Sequence, residues 1–390
     1  MLNFIFRFFS KYFFLLSLRL SIKKNYNENF KDLNFKQNDF INYKVVKHNT
    51  LKENFILINS STENHTFNFL QYYQVLGGKK GIELSKKNIF LWFKKYKYYK
   101  SFPWANDYAS RRFINIIYSY DYICSISKEK EIKFINFILN FHIKRILFQI
   151  NRKKNENLSS YDVLAETLID CIKKRFTQKN IKKILEFIDS HVDESSMHKS
   201  YNILEHSKFI NNLNEIKNIL LFYKFEVPET LTNKILAMTS LLSIYRHQDF
   251  TLPLFNGCNN NHNTQIHNIL NKEQFLSRKP LTFFKNGIAA YKDSNKALFF
   301  DVVQPSIYAF HNELSAGSLA FEISAEGEKI ITNCGGTELQ GKNPEYLKYS
   351  AAHSTIIINN TNISEIKDRK TKKIFPKQVI FEKSEENNKI

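Results

Sequence analysis

The chain is poor in the residues that punctuate or staple a fold: 10 glycines, 7 prolines and 4 cysteines in 390 residues. Cys124, Cys171, Cys258 and Cys334 are widely spaced and form no CxxC pair, which excludes a zinc finger and a disulfide framework. No long apolar run is present at the N-terminus either. In MLNFIFRFFSKYFFLLSLRLSIKK, the longest uncharged run is Tyr12 to Leu18, far short of the about 20 residues needed to span a bilayer. A signal peptide would need a longer apolar core and a small-residue cleavage site. An amphipathic helix over residues 1–24, packed on the protein or resting on a membrane surface, is the expectation there.

Acidic residues are also in deficit. Lys and Arg number 57 against 37 Asp and Glu, a formal net charge of +20 that favours anionic partners. The excess is spread along the chain, and Lys94 to Lys100 and Lys367 to Lys373 are the densest stretches, so no nucleic-acid partner is expected. Abundant Lys, Asn, Ile and Phe is also the skew of AT-rich coding. At this length the chain divides into two or three domains.

What is present is a change of period at Ser243 to Gly257, SIYRHQDFTLPLFNG. Before it, apolar residues recur at helical spacing. After it come short β-branched and aromatic runs separated by Asn, Gly, Asp and Ser. The stretch sets Arg246, His247 and Asp249 between two apolar arms and ends on Asn256-Gly257, a turn dipeptide. Arg246 and Asp249 either pair with each other or face a ligand where two domains meet.

On the helical side, Thr66 to Leu76 is stopped by Gly77-Gly78, and a second helix is expected over Glu83 to Lys97. In the segment following Pro103, Trp104, Tyr108, Phe113, Ile116, Ile117 and Tyr120 form one apolar face with Arg111 and Arg112 off it. An aromatic beside a guanidinium suits stacking of a sugar ring, and it equally suits a helix that buries its rings and solvates its arginines. Further helices are expected over Glu131 to Ile150, over Tyr161 to Lys174 behind a Ser159/Asp162 capping box, and over Lys182 to Ile188. Two more carry Phe209, Leu213, Ile216, Leu220 and Leu231, Ile235, Met238, Leu242, the last opened by Pro228. Seven or eight helices with no strand among them predict a layer of helical hairpins.

On the other side, strands are expected at Leu281 to Phe284, Ile288 to Lys292, Ala297 to Val303, Leu319 to Ser324, Lys329 to Asn333, Ser354 to Ile358 and Gln378 to Glu382. Asn286-Gly287 marks a hairpin turn. An antiparallel sandwich is the natural reading.

The strings LQYYQVLGG, WFKKY, FPWANDYASRRFINII, SIYRHQDFTLPLFNG, SLAFEIS, ITNCGG and YSAAHSTIIINN resemble, in order, those of the heparinase II/III-like polysaccharide lyases, in particular a proteobacterial branch. The resemblance runs from about Thr66 to Asn360. It implies an α+β multidomain fold, an incomplete (α/α) toroid followed by an antiparallel β-sandwich. The domains are then an amphipathic lead-in at 1–65, the toroid at 66–250 and the sandwich at 251–390. Family members continue further past the AHST-like string, so the sandwich is expected to be incomplete or the chain a fragment.

The resemblance also implies β-elimination on a uronic-acid polysaccharide in the cell envelope or periplasm, with the cytoplasm left open. That chemistry needs a group to neutralise the uronate carboxylate, a base for the C5 proton and an acid for the departing O4 oxygen. The family's DGGH and SPxYH strings resemble Asp189 to His191 and Ser195 to Lys199, where His198 stands at the tyrosine position and Lys199 at the histidine position. His191, His198 and Tyr201 are therefore the expected acid/base residues, with His353 of the AHST string. Trp104, Tyr108, Arg111, Arg112, Arg246 and His247 are the expected substrate contacts. A guanidinium such as Arg246 pairs bidentately with carboxylate. The family's sandwich histidine has no counterpart in NELSAGSLAFE, although His311 lies just upstream, and its GNH string has become Asn155-Glu156-Asn157. His353 resembles a position that binds structural zinc in some members; without partner ligands no metal is expected. The competing reading is a glycan-binding or envelope-polysaccharide-associated protein that kept the fold and lost the acid/base set. A third is a basic envelope protein held on anionic lipid by residues 1–24.

Overall fold

The computed structural model describes residues 65–98, 102–105, 107–259, 266, 269–270, 281–283, 287–303, 314–336 and 344–364. The expected amphipathic segment at 1–24, the strand at Gln378 to Glu382 and His311 lie outside them. Nine α-helices are described: α1 Phe69–Leu76, α2 Gly78–Tyr96, α3 Tyr108–Tyr118, α4 Tyr120–Cys124, α5 Glu129–Ile150, α6 Ser160–Ile172, α7 Gln178–His191, α8 Ile203–Phe222 and α9 Glu229–Ile244. Five strands follow: β1 Leu281–Phe283, β2 Gly287–Lys292, β3 Lys296–Val302, β4 Phe321–Ala325 and β5 Glu328–Ile331. None of the described helices is long and apolar enough to cross a membrane.

The chain forms two compact units, residues 1–154 with 158–175, and 155–157 with 176–390. The first is all helix in its described part. Gly77 (φ 69°) ends α1 as expected and its N–H closes on Tyr73 O, but α2 starts directly at Gly78. Gly81 shows why the two can pack so tightly: a Cβ there would sit 2.2 Å from the Tyr122 hydroxyl and 2.4 Å from Tyr73 O. The Ser159/Asp162 capping box forms, with Asp162 N–H donating to Ser159 Oγ and Ser159 N–H donating to Asp162 Oδ2. Phe67, Trp92, Phe113, Ile135, Ile138, Leu139, Ala165 and Leu168 are sealed from solvent at the core of this unit. Each large apolar side chain buried in this way contributes about 1.5–3 kcal/mol.

The second unit holds α7 to α9 and the sheet. α8 and α9 pack on each other across a short loop, burying Ile210, Leu213, Ile216, Leu220, Ile235, Met238 and Leu242. The sheet is an antiparallel meander in the order β1-β2-β3-β4-β5. Its pairing Phe283↔Ala290 agrees with the hairpin expected around Asn286-Gly287, whose other turn residues lie outside those described. β4 alternates half-buried and buried residues, the period of a sheet with one covered face. Ser354 to Ile358, expected as a strand, is instead a turn with a single bridge between Ile358 and Thr361. Ile356, Ile357 and Ile358 are all exposed, so the β-branched run that suggested a strand has no sheet to enter among the described residues. The described residues show one sheet, and a second sandwich layer is not among them.

Candidate functional site

Three histidines of the second unit, His191, His198 and His206, meet where α7 runs out. His191 is the last residue of α7, and the chain turns back through Val192 to His198, paired as an isolated antiparallel bridge, before Asn202 caps α8. Asp193 builds the turn: its Oδ1 accepts from Ser195 N–H, Ser195 Oγ–H and Met197 N–H at 2.9, 2.6 and 2.9 Å. Asn202 Oδ1 accepts from the N–H groups of Leu204 and Glu205, satisfying the open end of α8.

Hydrogen bonds assign the two imidazoles opposite tautomers. Ser190 Oγ–H is spent on Phe187 O, so His191 Nδ1, 2.9 Å from Ser190 Oγ and 3.0 Å from Phe187 O, carries its proton toward them and leaves Nε2 as the basic nitrogen. His198 Nδ1 instead accepts from the Ser200 N–H at 3.2 Å and lies 2.8 Å from Ser200 Oγ, which puts the proton on Nε2. The rings are 5.9 Å apart between centroids, and Phe209 flanks both. Both are buried, at 3% and 8% exposure. Burial, and then the neighbouring His191, His206 and Lys199, hold His198 well below the usual histidine pKa, so it is neutral at pH 7. His206 supports the turn by accepting the His198 N–H, while its own Nε2 reaches Met238 O.

Tyr201 sits on the same turn in left-handed backbone (φ 50°), with its hydroxyl donating to Asp193 Oδ2 at 3.3 Å. Burial, and then the Asp193 charge, push the phenol pKa up, so it stays protonated. Its ring lies flat against Gly287 at the start of β2, where an added Cβ would come within 2.4 Å. Asn256 ties this turn to the sheet. Asn202 Nδ2 donates to Asn256 O, and Asn256 Nδ2 donates to Asp301 Oδ2 at 3.3 Å. Asp301 is buried without a cation, and desolvation raises its pKa to about 7.

The hinge stretch lies along the sheet. His247 is fully buried, with Nε2 2.9 Å from Glu322 Oε2 and Nδ1 2.8 Å from Ser324 Oγ. Glu322 Oε1 accepts from the N–H groups of Leu254 and Asn333 and from Asn333 Nδ2. Burial alone would raise the Glu322 pKa; the His247, Asn333 and Leu254 hydrogen bonds outweigh it and hold the carboxyl below its ordinary value. His247 is thus a strut between hinge and β4 rather than a group presented to a ligand. Arg246 does not pair with Asp249. Its guanidinium lies over Phe250, 4.8 Å from the ring centroid, while Asp249 Oδ1 accepts from Thr251 N–H and Oγ1–H.

His353 is half-buried, its ring packed on Gly317, where a Cβ would come within 3.0 Å. Among the described residues no group of three or more His, Cys, Asp or Glu side chains could hold a metal ion. Asn155 to Asn157 form a short 3-10 turn that packs against α7.

The first unit places its expected contact residues inside. Trp104 is 2% exposed and Arg112 is fully buried, so neither offers a face to a sugar. Arg112 donates to Pro103 O at 2.8 Å, to His65 O and to His142 Nε2, and stacks 4.0 Å over Trp92 and 4.5 Å over Trp104. Arg145 covers Trp104 as well, at 4.1 Å. Tyr108 is buried edge-on against Phe102, and Arg111 pairs with Asp107 at 3.0 Å while lying over Tyr161. The sequence alternatives were a sugar-stacking face or solvated arginines; the structure buries the aromatics and one arginine together. Asn256, Asp301 and Glu322, which organise the second unit, were missed, because an isolated polar residue in a strand or turn carries no spacing signal.

Residues 277–390 match the model of the heparinase II/III-like C-terminal family. No curated protein matches the chain. Among solved structures, a crystal structure of heparinase III aligns with a TM-score of 0.61 at 12% identity over 76% of this chain and 54% of its own. A second heparinase III gives 0.55 at 13% identity over 87% and 64%, and a mutant of the heparan sulfate lyase HepC from Pedobacter heparinus gives 0.52 at 14% over 79% and 56%. The chain thus spans between about half and two thirds of the structures it matches. A helical N-terminal region followed by an antiparallel sheet is the fold it shares with these heparinases. Segment 277–390 thus resembles the C-terminal domain of heparinase II/III-like proteins, and the fold is the one seen in the heparinase III structures.

Proposed function

We propose that the protein is a polysaccharide lyase that cleaves a uronic-acid polymer by β-elimination, with the turn from His191 to Tyr201 as its proton-transfer apparatus. The observation that carries the reading is the complementary protonation of that turn: a basic Nε2 on His191, a neutral Nε2–H donor on His198 and a protonated phenol on Tyr201. In this reading His198 Nε2–H bonds the uronate carboxylate, which makes the C5 proton more acidic. His191 Nε2 takes that proton. The C5–H electrons form the C4–C5 double bond, the C4–O4 bond breaks, and Tyr201 protonates the leaving oxygen. Asp193 orients the phenol. The net charge of +20 supports an acidic polymer as substrate. The similarity to solved heparinase and heparan sulfate lyase structures supports the same substrate class. In this reading the protein works in the cell envelope or periplasm, which cell fractionation checks.

The test is ultraviolet absorbance of the unsaturated uronate product across a panel of uronic-acid polymers. Absorbance should rise on at least one, and His191→Ala and Tyr201→Phe should each abolish the rise while melting normally. A second reading, glycan binding without turnover, is favoured by one observation: both imidazoles are over nine-tenths buried. Retained affinity with no absorbance change on any polymer, unaltered by replacing His191, His198 and Tyr201, would establish it instead.

A further inference from the structure

A second cationic centre lies at the far end of β2 from Tyr201. Gly287, which packs on the Tyr201 ring, begins the strand and Lys292 ends it, five residues or about 17 Å of strand rise away. There the Lys292 ammonium donates to the Arg246 main-chain oxygen at 2.5 Å, which brings two cationic side chains to the same loop. Arg246 is 9% exposed, its Nε is buried without a partner, and none of its guanidinium nitrogens makes a hydrogen bond or ion pair among the described residues. Gln248, two residues on, likewise leaves Nε2 buried without an acceptor while its Oε1 takes the Ser324 hydroxyl.

Carboxylates are at hand but committed elsewhere. Asp249 is spent on Thr251, and Asp293 accepts from the N–H groups of Asn295 and Lys296 and from the Tyr291 hydroxyl. Two cations are therefore brought together and left uncompensated. Burial, and then the Arg246 charge, lower the Lys292 pKa to about 8. Removing a guanidinium from water without giving it an acceptor is costly, and an incoming anion relieves both that cost and the repulsion.

We propose that Arg246 and Lys292 form an oxyanion subsite that holds a carboxylate or sulfate group of the polysaccharide on a sugar other than the one being cleaved. Arg246 supplies a planar fork of donors and Lys292 a compact charge, and Phe250, 62% exposed beneath the guanidinium, gives a sugar face something apolar to rest on. The assignment rests on the acidic-polysaccharide reading for its ligand, but its geometry is independent of turnover.

The test is competitive trace acylation of lysines in the wild-type chain near pH 8, read by mass spectrometry with inorganic sulfate or sodium glucuronate present. Lys292 should be protected about tenfold at a ligand concentration roughly ten times its Kd, while Lys296 and Lys199 are unchanged. Protection by sulfate alone assigns the site to a sulfate ester, by glucuronate alone to a uronate carboxylate, and by both to either oxyanion. Absence of Lys292 protection with both anions, or equal protection of Lys296, overturns the proposal. Arg246→Gln should remove the protection at unchanged melting temperature, and protection that persists in a folded Arg246→Gln protein also overturns it. A chain that protects Lys292 but produces no unsaturated uronate refutes elimination and leaves the subsite standing.

Discussion

The two units differ in the charged group each buries most completely, Arg112 in the first and Glu322 in the second. The first compensates a fully buried guanidinium with main-chain oxygens, a neutral imidazole and two indole faces, and no carboxylate among the described residues touches Arg112. His142 is held neutral by burial and then by Arg112, with Nδ1–H on Ile138 O and Nε2 accepting from Arg112. The second unit sets buried acids against neutral or imidazole partners, Glu322 against His247 and Asp301 against Asn256, with the half-buried Asp193 against Tyr201. A cation among π faces and carbonyls is a fixed strut, since nothing in it exchanges a proton near neutral pH. Acids beside imidazole and phenol can move protons, which is why the chemistry is sought in the second unit.

The comparison breaks first at Arg112. Arg112→Met leaves the carbonyls of His65 and Pro103 and the His142 nitrogen unpaired in a dry core, and should cost about 3–5 kcal/mol in urea unfolding. Arg112→Lys should rescue little of it, because an ammonium cannot stack between Trp92 and Trp104. Glu322→Gln comes next, at about 2–4 kcal/mol, since Oε1 and Oε2 together serve His247, Leu254 and Asn333. Its pH signature is separate. The folded pKa of Glu322 lies below the ordinary 4.5, so its stabilisation is present above that value and lost as pH falls through the folded one. Glu322→Gln should therefore flatten the acid limb of stability.

Asp301 should behave in the reverse sense. Its folded pKa is raised from 3.8 to about 7, so the native state holds a proton that the unfolded state has released, and stability declines as pH rises between those values. Asp301→Asn should remove that decline, seen as melting temperatures that no longer fall between pH 4 and 7. A smaller effect, about 1–3 kcal/mol, is expected for Gly287→Ala, where φ is 110° and the new methyl meets the Tyr201 ring; elimination activity should fall more than stability does. The smallest is Lys79→Ala. The Lys79–Glu83 pair is 3.9 Å long and largely solvated, so its loss should stay within about 0.5 kcal/mol.

Much of this architecture was legible in the sequence. Helix periodicity, the Gly77 stop, the Ser159 capping box, the Pro228 start and the change of period after Tyr245 are local signals, and local signals survive folding. Helix starts were read late where the first turn is polar: α7 begins at Gln178 rather than Lys182, because Gln178, Lys179 and Asn180 carry no apolar period. The strand expected at Ser354 to Ile358 failed for the opposite reason, since β-propensity describes fitness for a pleated surface and no neighbour among the described residues supplies one. His191, His198 and Tyr201 were singled out only through the resemblance to the family's strings, and the structure brings the three to one turn. Arg112 was misread because its stacking partners, Trp92 and Trp104, come from different elements and sequence distance hides them. The Asn256 to Asp301 link was hidden for the same reason.

That link sets an order of events during synthesis. The turn from His191 to Tyr201 is braced by Asn256, by Gly287 and, through Asn256, by Asp301, about a hundred residues further on. A nascent chain on the ribosome can complete every helix and still have no braced turn, because the residues that hold it have not yet emerged. Whatever chemistry the protein performs is switched on late, by the arrival of the sheet that braces the turn.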